Sequence, residues 1–127
     1  MTNNKYTDVV RKIYKALNDR DMDGWTEFFD EETIDYVAAR KQQFKGRKVI
    51  REGYEAFIKG IPDAHFEWTN VFGQENWVCA EGSVSGTFAA TNKSFQFPIC
   101  IVVKFDGEIV REFHEYFDQQ SFQTYMH

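Results

Sequence analysis

The sequence predicts an α+β domain in which three N-terminal helices cover one face of a strongly curved antiparallel sheet. Apolar residues recur with a period near 3.6 before Pro62 and with a period of 2 after it, so helices precede strands. The strand-like runs follow one another through short turns, which makes successive hairpins rather than crossovers. No repeat, low-complexity tract or Pro/Gly-rich linker interrupts the 127 residues, so residues 1–127 are read as one domain.

The first helix is expected from about Tyr6 to Asn18, where Val9, Val10, Ile13, Tyr14 and Leu17 fall on one face. Asp21 or Asp23 offers an N-cap for a short second helix through Trp25, Phe28 and Phe29. Thr33 to Ala39 reads as a first strand. A third helix runs from about Arg47 to Ile61, with Val49, Ile50, Tyr54, Phe57 and Ile58 on one side, and Pro62 stops it. Four strands follow, at about His65–Phe72, Trp77–Phe88, Ser94–Phe105 and Glu108–Asp118. Gly73 and the Asp106-Gly107 pair are expected to form the tight turns.

Alternation within the strands separates two faces. From Trp77 to Phe88, one face reads Val78, Ala80, Gly82, Val84, Gly86 and Phe88, apolar but small; glycine in a strand marks a bend or a close approach. The next strand opposes Phe95, Phe97, Ile99, Ile101, Val103 and Phe105 to Gln96, Pro98, Cys100, Val102 and Lys104. Apolar surface on both faces, with helices for only one, implies a homodimer through the outer face, where Trp68 and Trp77 are expected. The last strand carries Glu112, His114, Tyr116 and Asp118 on one face, a set that suits either solvent or a lined cavity. A histidine two residues from a carboxylate and from a phenol can shuttle protons near neutral pH.

Composition narrows the function. With 13 Phe, 6 Tyr and 3 Trp against a single leucine, Leu17, aromatic rings carry much of the core, and flat rings leave gaps that aliphatic packing would close. A net charge of −5 with no basic stripe argues against nucleic acid. No apolar run is long enough to span a bilayer and MTNNKYTD lacks a signal-peptide core, so a cytoplasmic protein without membrane partners is expected. Cys79 and Cys100 read as reduced thiols, and no His/Cys spacing suggests a metal.

The helix VVRKIYKALNDRDMDGWTEFF, the helix led by Gly46, IPDAHFEW, the GSVSGTF segment and KFDGEIVREFHEYFD together resemble the nuclear transport factor 2-like superfamily, within it the SnoaL-like polyketide cyclase group. The resemblance runs from about Tyr6 to Gln120. It implies a cone of cystatin-like fold, a homodimer, and a pocket for a small hydrophobic organic ligand. It also implies that Ala80, Gly82, Val84, Gly86 and Phe88 face inward, joined by Pro98, Cys100 and Val102 and by Glu112, His114, Tyr116 and Asp118. One extra residue after the DGxI turn leaves a second register open, in which a bulge turns Glu115 inward instead.

What the resemblance implies for chemistry is cofactor-free general acid–base catalysis, as a cyclase, isomerase or hydratase. His114 and Asp118 would exchange protons; Tyr14 and Tyr54 would orient a substrate oxygen; and Phe57, Phe88, Cys100, Glu112 and Tyr116 would complete the binding surface. The chain departs from its relatives in reading Phe88 where many have histidine. Ungapped alignment with the ketosteroid isomerases puts Ile13, Val37 and Cys100 at their catalytic positions. The alternative is a ligand-binding or dimerisation domain without catalysis, which fold alone leaves open.

Overall fold

A computed structural model gives the fold, described for residues 5–118 and 120. Helices α1 (Lys5–Asn18), α2 (Met22–Thr26) and α3 (Arg47–Gly60) pack on a six-stranded sheet. Its strands are β1 (Ile34–Val37), β2 (Gln42–Lys45), β3 (His65–Gln74), β4 (Trp77–Thr87), β5 (Ser94–Asp106) and β6 (Ile109–Phe117), in the order β2-β1-β6-β5-β4-β3. The predicted α+β class and the helices-then-meander order hold.

Each helix starts and stops for local reasons. In α1, Val10, Ile13, Tyr14 and Leu17 are buried on one stripe while Lys12 and Lys15 face water. Asp21 caps α2, accepting from the backbone N–H of Gly24 at 3.0 Å. The end of α1 is tied to β3 by a reciprocal pair: Asn18 Nδ2 donates to the Phe66 carbonyl at 2.8 Å, and Phe66 N–H donates to Asn18 Oδ1 at 2.9 Å.

Two features of the sheet are absent from the sequence pattern. Residues after Lys41 pair as a short strand, β2, antiparallel to β1, and β1 in turn lies parallel to β6, with Asp35 opposite Phe113 and Val37 opposite Glu115. The side arm so formed closes one end of the sheet. Thr33 anchors it, its hydroxyl donating to the Val110 carbonyl at 2.6 Å. The first hairpin turns at Glu75 and Asn76, with Glu75 at φ 54°, while Gly73 sits within β3.

Register decides the faces. Ala80 pairs with Ile101, Gly82 with Ile99 and Val84 with Phe97, so the bulky face of β5 shares the helix-covered side with the small face of β4. Directly paired residues always share a face. Pro98, Cys100 and Val102 therefore lie on the outer face, contrary to the inward placement expected. Between β5 and β6 the register slips at Lys104 and Phe105: Phe105 pairs with Val110, yet Val103 pairs with Phe113 and Ile101 with Glu115. This is the alternative register, in which Glu115 turns inward. The β4 glycines do not build a hollow either. A Cβ at Gly86 would lie 2.5 Å from Ile61 Cγ2, so the end of α3 occupies the space that the missing side chain leaves.

Candidate functional site

A cavity of about 110 Å³ opens between α3, the β1–β2 arm and the inner face of the sheet. Helix α3 contributes Gly53, Tyr54 and Phe57; the arm contributes Asp35, Val37 and Phe44; β5 and β6 contribute Phe97, Ile99, Glu115 and Phe117. Arg40 and Gln42, both exposed, stand at its rim.

Four polar side chains from four elements meet at this apolar wall. Tyr54 donates a hydrogen bond of 2.7 Å to Glu115 Oε1 and is in hydrogen-bond contact with Tyr14. Asp35, on the other side, is within hydrogen-bond reach of Glu115. Asp35 is 3% exposed and Glu115 7%. Burial, and then the neighbouring Glu115, pushes the Asp35 carboxyl well above the usual carboxylate range. A second negative charge beside Glu115 is costly in a desolvated site, which favours the neutral form of Asp35. Burial likewise raises the Tyr14 and Tyr54 phenols, with Glu115 the next cause in each. Both hydroxyls therefore stay protonated donors at neutral pH. Asp35 Oδ1 is buried and has no hydrogen-bond partner among the described residues.

The raised Asp35 pKa has a measurable consequence. An acid whose folded-state value lies above its unfolded value stabilises the fold most at low pH. That contribution is lost as pH rises from the unfolded value through the folded one, at up to about 1.4 kcal/mol for each unit of pH. Asp35→Asn removes the dependence, so its stability relative to wild type should improve between pH 4 and pH 8 in urea unfolding. A difference that stays constant with pH would show that Asp35 titrates normally.

The predicted site residues divide between the two sides of the sheet. Tyr54 and Phe57 line the cavity and Tyr14 touches it through Tyr54. Phe88 is buried against Phe95, at 4.8 Å between ring centroids, and does not line it. Glu112, His114 and Tyr116 lie on the outer face because the bulge in β6 inverts the expected alternation, and Cys100 lies there because it pairs with Glu81 rather than with the small inner face of β4. There His114 Nε2 is 2.8 Å from Glu112 Oε1, and its ring stacks on Tyr36 at 4.7 Å. Asp118 follows the end of β6, exposed, its Oδ1 accepting from Gln120 N–H at 3.0 Å. Cys79 and Cys100 approach to 3.7 Å between sulfurs on the same outer face, and burial pushes the Cys79 thiol up to about 11.

Asp35 and Phe44 were missed. A signal for Asp35 existed: a lone carboxylate inside the strand-forming run Ile34-Asp35-Tyr36-Val37 shares a face with Thr33 and Val37. Its face could be assigned only once β1 was known to pair with β6.

Gly53 tests whether the cavity is used. A Cβ there would meet nothing nearer than Phe44 at 3.9 Å, so alanine fits and takes up cavity volume. Gly53→Ala should raise stability by about 0.5–1 kcal/mol through helix propensity, while weakening whatever binds. Unfolding and ligand titrations on one preparation separate the two effects; unaltered ligand affinity would place binding elsewhere.

Comparison with known proteins places this geometry. No curated protein matches the chain in sequence. Among solved structures, a nuclear transport factor 2-like protein of unknown function from Burkholderia pseudomallei superposes with a TM-score of 0.90 at 13% identity, covering 98% of each chain. A protein provisionally assigned as a SnoaL-like polyketide cyclase, from Shewanella denitrificans, gives 0.86 at 14% identity, covering 97% of this chain and 98% of that one. IdmH from Streptomyces antibioticus, provisionally assigned as a polyketide cyclase, gives 0.83 at 12% identity, covering 97% and 99%. At these identities the likeness is one of fold. The family itself is shown by sequence, since residues 10–112 match the SnoaL-like domain. With most of its length inside that match and the same fold in space, the chain belongs to the SnoaL-like family.

Proposed function

We propose that the cavity binds a small, largely apolar organic molecule and moves a proton on it, with Glu115 and Asp35 as the acid–base pair and Tyr54 and Tyr14 as supporting donors. The observation that carries this reading is the buried string Tyr14–Tyr54–Glu115–Asp35 at the wall of an otherwise apolar cavity. A proton shared between carboxyls of unequal environment can be given or taken with little change in net charge, which suits cyclisation, isomerisation or hydration at neutral pH. The provisional assignment of two structural relatives as polyketide cyclases is consistent with this class of chemistry. No step in it calls for a cofactor.

The direct test needs no knowledge of the natural substrate. A cyclic ketone such as 2-tetralone, incubated with the protein in D₂O, should exchange its α-protons faster than in buffer alone, followed by NMR. A ligand-binding domain without catalysis would bind such compounds and leave the exchange rate at the buffer value.

A homodimer through the outer sheet face belongs to the same proposal. Phe72, Trp77 and Tyr116 lie on that face with 46%, 38% and 47% of their surface exposed, which is unusual for side chains of this size. Trp77→Glu should convert a dimer to a monomer in light scattering without changing the fold. A wild type that is already monomeric at micromolar concentration would end this part.

A further inference from the structure

We propose that Cys79 and Cys100 form a dithiol site on the outer face of the sheet that a single trivalent arsenic centre bridges, as arsenous acid or an organic derivative of it. The site lies on the opposite side of the sheet from the cavity and owes nothing to the chemistry proposed there.

Geometry favours an inserted atom over a direct bond. The two sulfurs lie 3.7 Å apart, and both thiols are free and half-buried. They stand on adjacent strands without being directly paired: Cys79 is opposite Val102 and Cys100 opposite Glu81, so the two are diagonal neighbours. Diagonal positions across an antiparallel pair are about 7–8 Å apart, whereas a disulfide without backbone movement needs Cα atoms within about 7 Å. Closing an S–S bond would pull on strands that pair without a break from Trp77 to Thr87. A pyramidal arsenic instead holds two sulfurs close to the separation already present, and the strands stay in place.

The protonation of the pair selects the kind of centre. Burial, then the hydrogen bond with Cys100, pushes the Cys79 thiol up to about 11, and the charge of Glu81 adds to the rise. A monovalent soft cation would leave a negatively charged bis-thiolate, which the same burial and the same carboxylate oppose. Condensation with two As–OH groups avoids that charge. Two S–As bonds form and two As–O bonds break, each thiol proton leaves with a hydroxyl as water, and arsenic stays trivalent. The product is neutral and no oxidant is consumed. Ions that need more ligands find none: among the described residues, no group of three or more His, Cys, Asp or Glu is placed to hold a metal ion. The surroundings suit an organic substituent, since Phe72 pairs with Cys79 and Tyr116 with Cys100, both rings exposed. An aryl group on arsenic would cover apolar surface there.

The test is a titration of the reduced protein with phenylarsine oxide at pH 7, followed by native mass spectrometry and by the loss of maleimide-reactive thiols. One phenylarsenic unit should add per chain, and both thiols should be lost to maleimide together. Cys79→Ser and Cys100→Ser should each weaken binding by about 10²-fold or more, the usual gain from a second tethered contact, while the remaining thiol still takes maleimide. Trp77→Glu, in which no second copy covers this face, should bind as the wild type does; binding by this variant alone would support the site and place it beneath the dimer contact. The stoichiometry of the wild type decides the matter even if a serine variant folds poorly. Two arsenicals per chain, a single-cysteine variant that binds as tightly as the wild type, or no binding by either the wild type or Trp77→Glu would each overturn the proposal.

Discussion

Glu115→Gln should slow ketone α-proton exchange by about 10²–10⁴-fold, the usual worth of a positioned general base. Glutamine keeps the size of the side chain and an oxygen that accepts from the Tyr54 hydroxyl, now 2.7 Å from Oε1, but it takes up no proton. The fold is therefore expected to survive, and the loss should appear in the rate. His114→Ala offers the sharpest control. Its ring lies on the opposite side of the sheet, between Glu112 and Tyr36, so the variant should exchange at the wild-type rate. Were the histidine variant inactive and the glutamine variant unaffected, the chemistry would belong to the outer face and the cavity pair would be structural.

Gly82→Ala should be the most damaging small change in the sheet. A Cβ at position 82 would lie 1.8 Å from the Glu67 carbonyl oxygen and 2.8 Å from Trp68 Cα, both backbone atoms. Neither can rotate aside. Gly82 pairs with Trp68 where the β3–β4 register shifts between Trp68 and Asn70, so β3 crosses β4 closely only because no side chain intervenes. Inserting a methyl group forces the strands apart at this bulge. The expected loss is about 3 kcal/mol or more, roughly 10 °C in Tm for a domain of this size. Thermal melting measures it directly. A drop of only a degree or two would show that the strands can separate there freely. Gly53→Ala on the cavity wall is the natural comparison, because the same added carbon meets only Phe44, at an ordinary contact distance of 3.9 Å, and is expected to stabilise.

Much of the architecture was legible in the chain because it depends on near neighbours. The helix at Lys5–Asn18 follows from the spacing of Val10, Ile13, Tyr14 and Leu17, and the end of α3 from Pro62. The strands after Pro62 follow from alternation, and the resemblance to the SnoaL-like group rested on the order of these same segments. The weak side arm was missed for a physical reason. Strand β2 is four residues long and polar, Gln42-Gln43-Phe44-Lys45, and its pairing with β1 owes nothing to its own periodicity. The site depended on that arm, since Asp35 reaches the cavity only because β1 lies beside β6.

The last strand shows how the division falls. The residues of β6 were read correctly as a strand with titratable side chains, yet which of them faces inward depends on one slipped pairing at Lys104 and Phe105. With a period of 2, a single extra residue moves every later side chain to the other face, so Glu115 came inside and His114 went out. By itself the sequence determined the class of fold, the family and the aromatic walls. Only the tertiary structure decided which carboxyls meet, because that needs both the slipped β5–β6 pairing, one of two registers the sequence left open, and the pairing of β6 with β1 far away in the chain, which leaves no local trace.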